Sequence, residues 1–273
     1  MSPDPPPDIS ALPEPPAEPG PQPLLQPPPR TNAPPPESYP FWGYLDLFAF
    51  ILIALFGLIV EWVATRPWIA DPHVKQIFVL LPAQVLLYAF LLGALALIFR
   101  RYYGRPFWRS LRWTPADWST PFVATCGVLV ALTVAVASLL LRTPDIDSPM
   151  KALLADRTSV LLVAVLGTTL GPVFEEIVFR GFLQPLLVRS LGAAPGILLA
   201  AVPFGLLHLQ EYGNSWRHAL LIALAGAAFG WMRQRTGSTK AAAVMHAAYN
   251  CVFFLLLAAQ QAALHGRWAE HGR

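Results

Sequence analysis

The sequence has 273 residues, of which 55% are hydrophobic and only 13% are charged, with a formal net charge of +3 and a mean hydropathy of +0.49. A soluble domain usually carries about 25% charged residues, so this composition excludes an ordinary water-soluble globular protein. The small net charge adds no sign of a nucleic-acid partner, and none is expected. Apolar stretches of about 20 residues, long enough to cross a bilayer as helices, recur along the chain.

The first 40 residues form a separate region that holds 17 of the 29 prolines. Proline has no backbone N–H and a fixed φ, so this region can form neither helix nor sheet. We predict a disordered tail with polyproline II character, and we favour a plain solvated segment over a ligand for a proline-recognising domain. It lacks the basic start and adjoining apolar core of a signal peptide.

From residue 44 onward the sequence predicts an all-α fold, a polytopic bundle of about seven transmembrane helices. The bilayer offers no partners for free backbone groups, so each apolar span must be helical. Inner prolines at Pro82, Pro172, Pro185 and Pro203 predict kinks. The predicted spans are 44–64, 76–99, 121–141, 159–188, 196–210, 217–232 and 240–263.

The composition divides the chain into four parts: the proline-rich tail 1–40, the first helices with a basic loop 41–119, a core 120–263 and a short C-terminal tail 264–273. Two loops, 100–112 and 233–240, are rich in arginine and lysine and share one side if there are seven spans. The positive-inside rule then predicts a multi-pass protein of the cell membrane with its N-terminus and basic loops in the cytoplasm.

Two smaller features follow the same pattern. Aromatic residues cluster at the span ends, as in interfacial belts, and the stretch 108–118 either lies along the headgroups or is a simple loop. The two cysteines, Cys126 and Cys251, stand alone in apolar stretches and are predicted to be buried, reduced thiols.

The segment 167–189 places three ionisable residues near the middle of an apolar helix. Each such group costs about 2.5–3.5 kcal/mol at bilayer depth, so the three need compensation. Glu176 and Arg180 are four residues apart in the order that favours an ion pair, which predicts a structural pair. Glu175 is rotated about 100° away, so it must face a polar cavity, face a polar group of another helix, or bind a proton. Such a carboxylate can act as a general base or acid.

Two later spans carry further polar groups. His208 lies near the end of the fifth predicted span, four residues after Phe204, and taken alone would be an interfacial residue. His246 and Asn250 lie four apart on one face of the seventh span, where they could simply bond to a neighbouring helix. Together, however, a carboxylate, two imidazoles and an amide are the groups needed to activate water and to stabilise an oxyanion in amide hydrolysis.

At these residues the sequence resembles the CPBP family, which includes the type II CAAX prenyl endopeptidases and abortive-infection-like proteins. The family carries a Glu-Glu-x-x-x-Arg motif, then Phe-x-x-x-His, then His-x-x-x-Asn/Asp, on separate membrane helices. Here these motifs occur in the same order at 175–180, 204–208 and 246–250. The resemblance covers roughly residues 120–260, which would make the core 120–263 an intramembrane peptidase.

The resemblance implies a role for each residue. Glu175 and His208 would activate the attacking water, and His246 and Asn250 would hold the oxyanion. Glu176, Arg180 and Phe204 would support the site. The substrate would be a membrane-embedded or membrane-surface peptide, and the resemblance suggests cleavage near a C-terminus.

A metal is a further question that the resemblance raises, because members of the family are often labelled metalloproteases. A catalytic zinc needs about three protein ligands plus water, and Glu175, His208 and His246 could supply them. The sequence has no His-Glu-x-x-His helix. We therefore favour a mechanism without a cofactor, in which glutamate and histidine act directly on water.

Two alternatives come from other classes of protein. A member of the family could serve as a non-proteolytic immunity protein or scaffold, although a scaffold has no need of the complete residue set. A transporter is less favoured, because transporters usually show paired or inverted repeats and the sequence shows none.

Overall fold

The computed structural model describes residues 1–2, 39–71, 73–145, 147–154 and 156–271, with side chains described as far as residue 259. The chain divides into two units, residues 1–37 and residues 38–273, and the helices described below belong to the second. The predictions for the proline-rich tail lie outside the described residues.

Helices account for most of the second unit, and no strand occurs in the described ranges, which confirms the predicted all-α fold. In chain order the helices are α1 (Tyr44–Ile69), α2 (Ile77–Tyr102), α3 (Phe107–Ser110), α4 (Thr120–Leu140), α5 (Pro149–Leu153), α6 (Arg157–Thr168), α7 (Leu170–Glu176), a π-helical segment (Ile177–Leu183), α8 (Gln184–Leu191), α9 (Ala193–Leu207), α10 (Trp216–Thr236) and α11 (Thr239–His271).

Five stretches are long and apolar enough to cross a membrane. They are α1, α2, α4, the run of helical segments Arg157–Leu191 and the Thr239–Ala259 part of α11. The fifth predicted span corresponds to α9, whose 15 residues reach only about 22 Å against a hydrocarbon core of about 30 Å. The sixth corresponds to α10, which carries arginines close to both of its ends.

The fourth predicted span is not one regular helix. It consists of α6, α7, the π-helical segment and α8, and the α6–α7 junction lies at Thr169, whose φ of −125° and ψ of −89° are not helical. Pro172 falls in the first turn of α7, just after the break at Thr169, where a missing N–H costs no hydrogen bond. Pro185 is the second residue of α8, which follows the π-helical segment directly. A π-helical turn inside a helix is frequent at functional sites.

The loop between α3 and α4 packs on the turn between α10 and α11, which places the two arginine-rich loops at the same end of the bundle. Thr239 N donates to Arg112 O at 3.0 Å, and Thr239 Oγ1 donates to Leu111 O at 2.6 Å. Gly127 allows α4 to approach α11 closely, because a Cβ atom there would collide with the Met245 carbonyl.

The residues before α1 are anchored in an aromatic core. The Trp42 side chain is fully buried and packs near Phe99 and Phe182, and its indole Nε1 donates to the Phe182 carbonyl at 3.1 Å. That carbonyl belongs to the π-helical segment, so the N-terminal anchor contacts the irregular part of the fourth helical run directly.

The prediction of buried cysteines is wrong for Cys251, which is exposed on α11, while Cys126 is half-buried. Both thiols are free, as expected. The reason for the error is physical: the lipid-facing side of a membrane helix is as apolar as its packed side, so hydropathy does not report burial.

Candidate active site

The interrupted helical run carries the first polar cluster. Glu175 and Glu176 are the last two residues of α7, and Arg180 lies within the π-helical segment that follows. Arg180 Nη1 donates to Glu176 Oε1 at 2.9 Å, the pairing that the four-residue spacing predicts. Both side chains are almost completely buried, with 0% of Glu176 and 1% of Arg180 exposed.

A glycine on α10 makes room for this buried pair. Arg180 Nη2 donates to the Gly226 carbonyl at 2.7 Å. A Cβ atom at Gly226 would lie 2.8 Å from that nitrogen and 2.8 Å from Phe204 Cδ1, closer than real contacts allow. The guanidinium also lies over the Phe204 ring at 4.4 Å. The charge of Arg180 is therefore met by a carboxylate, a carbonyl and an aromatic face.

His246 on α11 links the pair to the second carboxylate. Its Nδ1 lies 3.0 Å from Glu176 Oε1, and its ring stacks on Phe229 at 4.5 Å. A carboxylate that is paired with an arginine can only accept, so Nδ1 carries the proton. Nε2 is then the open nitrogen, and it lies 3.8 Å from Glu175 Oε2.

Glu175 differs from its neighbour Glu176 in its exposure and in its bonds. Its side chain is 21% exposed, and within the described residues its carboxylate makes no hydrogen bond. The 3.8 Å gap to His246 Nε2 exceeds hydrogen-bond distance, and such a gap between two polar atoms is one that a water or substrate atom can bridge. Glu175 is thus the carboxylate that is open to react.

His208 lies just after α9 and is oriented by its own helix. Its Nδ1 lies 2.7 Å from the Phe204 carbonyl, which can only accept, so Nδ1 carries the proton and Nε2 keeps its lone pair. The Phe204 ring lies 4.9 Å from the His208 ring and 5.8 Å from the His246 ring. Phe204 therefore stands between the two imidazoles and under Arg180.

Asn250 lies one turn beyond His246 on α11, and it contacts a different helix. Its Nδ2 donates to the Gly167 carbonyl at 2.6 Å, near the end of α6 where the helix breaks. The amide therefore satisfies a carbonyl close to the break. An amide nitrogen has two donors, so one N–H remains for a substrate.

The structure thus brings some of the predicted residues together directly and others only through neighbours. His246 contacts Glu176 and faces Glu175, and Arg180 completes this group. His208 joins through Phe204, and no direct hydrogen bond or ion pair between His208 and Glu175 occurs among the described residues.

A zinc site does not fit these positions as they stand. In the described part of the chain, no group of three or more His, Cys, Asp or Glu side chains lies close enough together to hold a metal ion. We therefore derive no chemical step through a metal.

Sequence analysis missed an acidic residue beside the site. Glu211 lies in the loop after α9, three residues past His208, and its backbone carbonyl accepts from Met150 N at 3.2 Å. Burial raises the pKa of Glu211, the His208 charge lowers it, and the Glu175 charge raises it again. The only signal in the sequence was an acid close to His208, which is also what a solvated loop contains.

An aromatic wall on α2 was missed as well. Tyr88 stacks on Phe174 with ring centroids 3.9 Å apart and an angle of 13° between the planes. Phe174 is the residue before Glu175, so α2 closes one side of the site although α2 carries none of the three motifs.

Residues 157–252 match the family model described as type II CAAX prenyl endopeptidase Rce1-like. The matched stretch runs from α6 into α11 and includes every residue of the three motifs. Comparisons with curated proteins and with solved structures gave no match.

Proposed function

Because residues 157–252 belong to the type II CAAX prenyl endopeptidase Rce1-like family, we propose that this membrane protein is an intramembrane endopeptidase. It hydrolyses a peptide bond of a membrane-associated protein or peptide with water that glutamate and histidine activate. The observation that carries the proposal is the 3.8 Å gap between the free carboxylate of Glu175 and the open Nε2 of His246.

In the proposed reaction, the water oxygen attacks the scissile carbonyl carbon while its proton passes to Glu175 or to the free Nε2 of His208. The C=O double bond opens to an oxyanion. The C–N bond of the tetrahedral intermediate then breaks, and the proton held by the base moves to the leaving amine, so that a carboxylic acid and an amine result. Both bases have the necessary free acceptor atoms in this geometry.

The oxyanion needs donors, and two groups on α11 supply them. Asn250 has one amide N–H beyond the one that Gly167 accepts. His246 Nε2 donates when both ring nitrogens carry protons, with the Glu176 carboxylate as the counter-ion of that imidazolium. Donors of this kind are typically worth about 100- to 1,000-fold in rate.

Glu176 and Arg180 act through His246 rather than on the substrate. They are buried, they bond to each other, and Glu176 fixes the His246 ring by its Nδ1. Arg180 also connects the site to α10 through Gly226. In the proposal they are positioning residues.

The orientation in the membrane is part of the same proposal. Both arginine-rich loops lie at one end of the bundle. We assign that end to the cytoplasm by the positive-inside rule, in a multi-pass protein of the cell membrane.

The test is comparative membrane proteomics of cells that express wild-type protein, Glu175→Ala, His208→Ala or a control. Glu61→Gln is a matched control, because Glu61 is also an acid within an apolar helix but lines a groove between α1 and α2 rather than the site. Peptide fragments of membrane proteins should appear with wild type and Glu61→Gln and disappear with Glu175→Ala and His208→Ala. The same fragments in all four samples would refute the proposal.

A further inference from the structure

The two ends of the helix bundle differ strongly in charge. One end, which we call the basic face, contains the starts of α1, α4 and α11 and the ends of α2, α8 and α10. Among the described residues it carries nine cations against two carboxylates, Asp46 and Asp117. The nine cations are Arg100, Arg101, Arg105, Arg109, Arg112, Arg189, Arg233, Arg235 and Lys240.

An inner group of these arginines is occupied by the segment before α1. Arg112 lies over the Tyr39 ring at 4.3 Å, and Arg233 Nη2 donates to the Tyr39 hydroxyl at 3.0 Å. Arg189 donates to the Pro40 carbonyl. These contacts come from the α3–α4 loop, α10 and α8, so they also show that distant parts of the chain share this face.

An outer group has no such role. Arg100, Arg101, Arg109 and Lys240 are exposed, and no carboxylate pairs with any of them within the described ranges. Unpaired, exposed cations beside one another repel and favour an external anion.

Asp46 forms no ion pair with this outer group among the described residues, and its carboxylate accepts from other groups. Asp46 Oδ2 accepts from the Tyr103 hydroxyl at 2.7 Å and from Gly43 N at 2.8 Å. Of the two carboxylates on the basic face, only Asp117 is left.

Exposed aromatic rings lie at the same level as these cations. Tyr102, Trp108 and Trp231 are 84%, 50% and 47% exposed, and Arg235 lies over the Trp231 ring at 5.8 Å. Tyrosine and tryptophan favour the headgroup region, where one side of the ring is apolar and the other is wet. This level of the molecule is therefore suited to lipid headgroups.

A small groove beside Lys240 combines the two kinds of chemistry. It has a volume of about 80 Å³ and is lined by Lys240 together with the apolar side chains of Trp118, Val123 and Val244, among others. A ligand there would meet both a cation and apolar side chains, a combination that matches a phospholipid better than an acidic protein segment.

The opposite end provides an internal comparison. It carries six cations and five carboxylates in the described ranges, and several of them pair, as Lys151 does with Asp145 at 2.9 Å. The cations are Arg66, Lys75, Arg142, Lys151, Arg157 and Arg217, and the carboxylates are Asp71, Asp145, Asp147, Asp156 and Glu211. This end is nearly neutral and has no comparable attraction for anions.

We infer that the basic face binds the headgroups of anionic phospholipids, through the outer cations and the groove beside Lys240. The neutralised face would stabilise the packing of the α3–α4 loop on the α10–α11 turn. This inference does not depend on peptidase activity.

The experiment is native mass spectrometry of the purified full chain with phosphatidylglycerol or phosphatidylcholine of identical acyl chains. Wild type should retain phosphatidylglycerol preferentially, and high salt should reduce the preference. The variant Arg100→Gln/Arg101→Gln/Arg109→Gln/Lys240→Gln should lose it, at up to about fivefold per cation removed. The control variant Arg66→Gln/Lys75→Gln/Arg142→Gln/Arg217→Gln removes four cations from the opposite end and should keep it.

The outcomes separate clearly. Loss of the preference in the basic-face variant alone supports the inference. Equal retention of the two lipids by wild type overturns it, and so does equal loss in both variants, which would show a general charge effect. Retention of a polyglutamate peptide in place of phosphatidylglycerol also overturns it, in favour of an acidic protein partner. A thermal unfolding scan of each variant shows whether it is folded.

Discussion

Glu175 and Glu176 are neighbours in the sequence, yet the fold gives them opposite environments. Glu176 is fully buried and bonds to Arg180 and His246. Glu175 is 21% exposed, makes no hydrogen bond within the described ranges and faces His246 Nε2 across 3.8 Å. One carboxylate is fixed by its partners, while the other keeps its acceptor atoms free for a substrate or a water.

The comparison shows how two identical groups acquire different roles. A buried charge persists only when it is paired and bonded, and both bonds of Glu176 fall on its Oε1. Its Oε2 has no hydrogen-bond partner among the described residues, but it is buried away from water and substrate. A general base needs a free lone pair within reach of the proton that it takes. Both residues lie in α7, and the rotation of about 100° between adjacent helical residues turns their side chains to different surroundings.

Among the substitutions around the buried Glu176, Arg180→Gln should lower the unfolding free energy most. It leaves the Glu176 charge buried without its partner, which typically costs about 3–5 kcal/mol of unfolding free energy. The double variant Glu176→Gln/Arg180→Gln removes both charges and should recover part of that loss. Denaturant unfolding in detergent measures both variants. A double variant whose loss of stability equals the sum of the losses in Glu176→Gln and Arg180→Gln would show that the pair is not a coupled unit.

Asn250→Ala tests whether the α11 amide acts in the transition state or only satisfies the Gly167 carbonyl. For an oxyanion donor, kcat should fall about 100- to 1,000-fold with little change in KM. A solely structural role predicts lower stability with kcat nearly unchanged. Steady-state kinetics on a substrate found by proteomics, together with an unfolding curve, distinguish the two outcomes.

Gly226→Ala should disturb the Glu176 carboxylate through its partner Arg180. The added Cβ would lie 2.8 Å from Arg180 Nη2 and must displace the guanidinium or the Phe204 ring. Overpacking of this kind costs about 1–3 kcal/mol, and unfolding curves should show it. Gly93→Ala on α2 is a suitable control, because a Cβ there meets nothing within 4 Å. Equal stability of the two variants would contradict the close packing around Arg180.

The smallest effect is expected from Glu211→Gln, and it depends on pH. Burial raises the pKa of Glu211, so the protonated form is favoured in the folded protein. Stability from this group is present below the usual glutamate pKa of about 4.3 and is lost as the pH rises through the raised value. Glutamine does not ionise, so Glu211→Gln should not lose this stability as the pH rises. The thermal midpoints of wild type and variant should therefore diverge with rising pH. Parallel curves would show that Glu211 does not titrate in this way.

Much of this picture was predictable from the sequence for local reasons. The apolar spans predicted the helices, and the four-residue spacing predicted the bond between Glu176 and Arg180. The bond between Glu176 and His246 was not predictable, because it joins residues 70 positions apart through the packing of α11 on α7. The same holds for Asn250, whose contact with Gly167 depends on a helix break that has no strong sequence signal.

Other differences have physical causes of a similar kind. Hydropathy predicted spans at both α9 and α10, because apolar content alone does not specify where a helix begins and ends. The helix α9 has only 15 residues, and α10 has arginines close to both of its ends. The four-part division of the chain, the metal-free mechanism and the substrate class remain predictions. The family match, which begins at residue 157, leaves α1, α2 and α4 outside it, although α2 contributes Tyr88 to the wall of the site.

Parallel measurements on Glu175→Gln and Glu176→Gln test the central claim most directly, since the two substitutions are the same and the positions adjacent. Peptidase activity and unfolding free energy would be measured for each in the same detergent. Our account predicts that Glu175→Gln is inactive but as stable as wild type, and that Glu176→Gln is clearly destabilised. Full activity in Glu175→Gln, or a loss of stability there equal to that in Glu176→Gln, would contradict it.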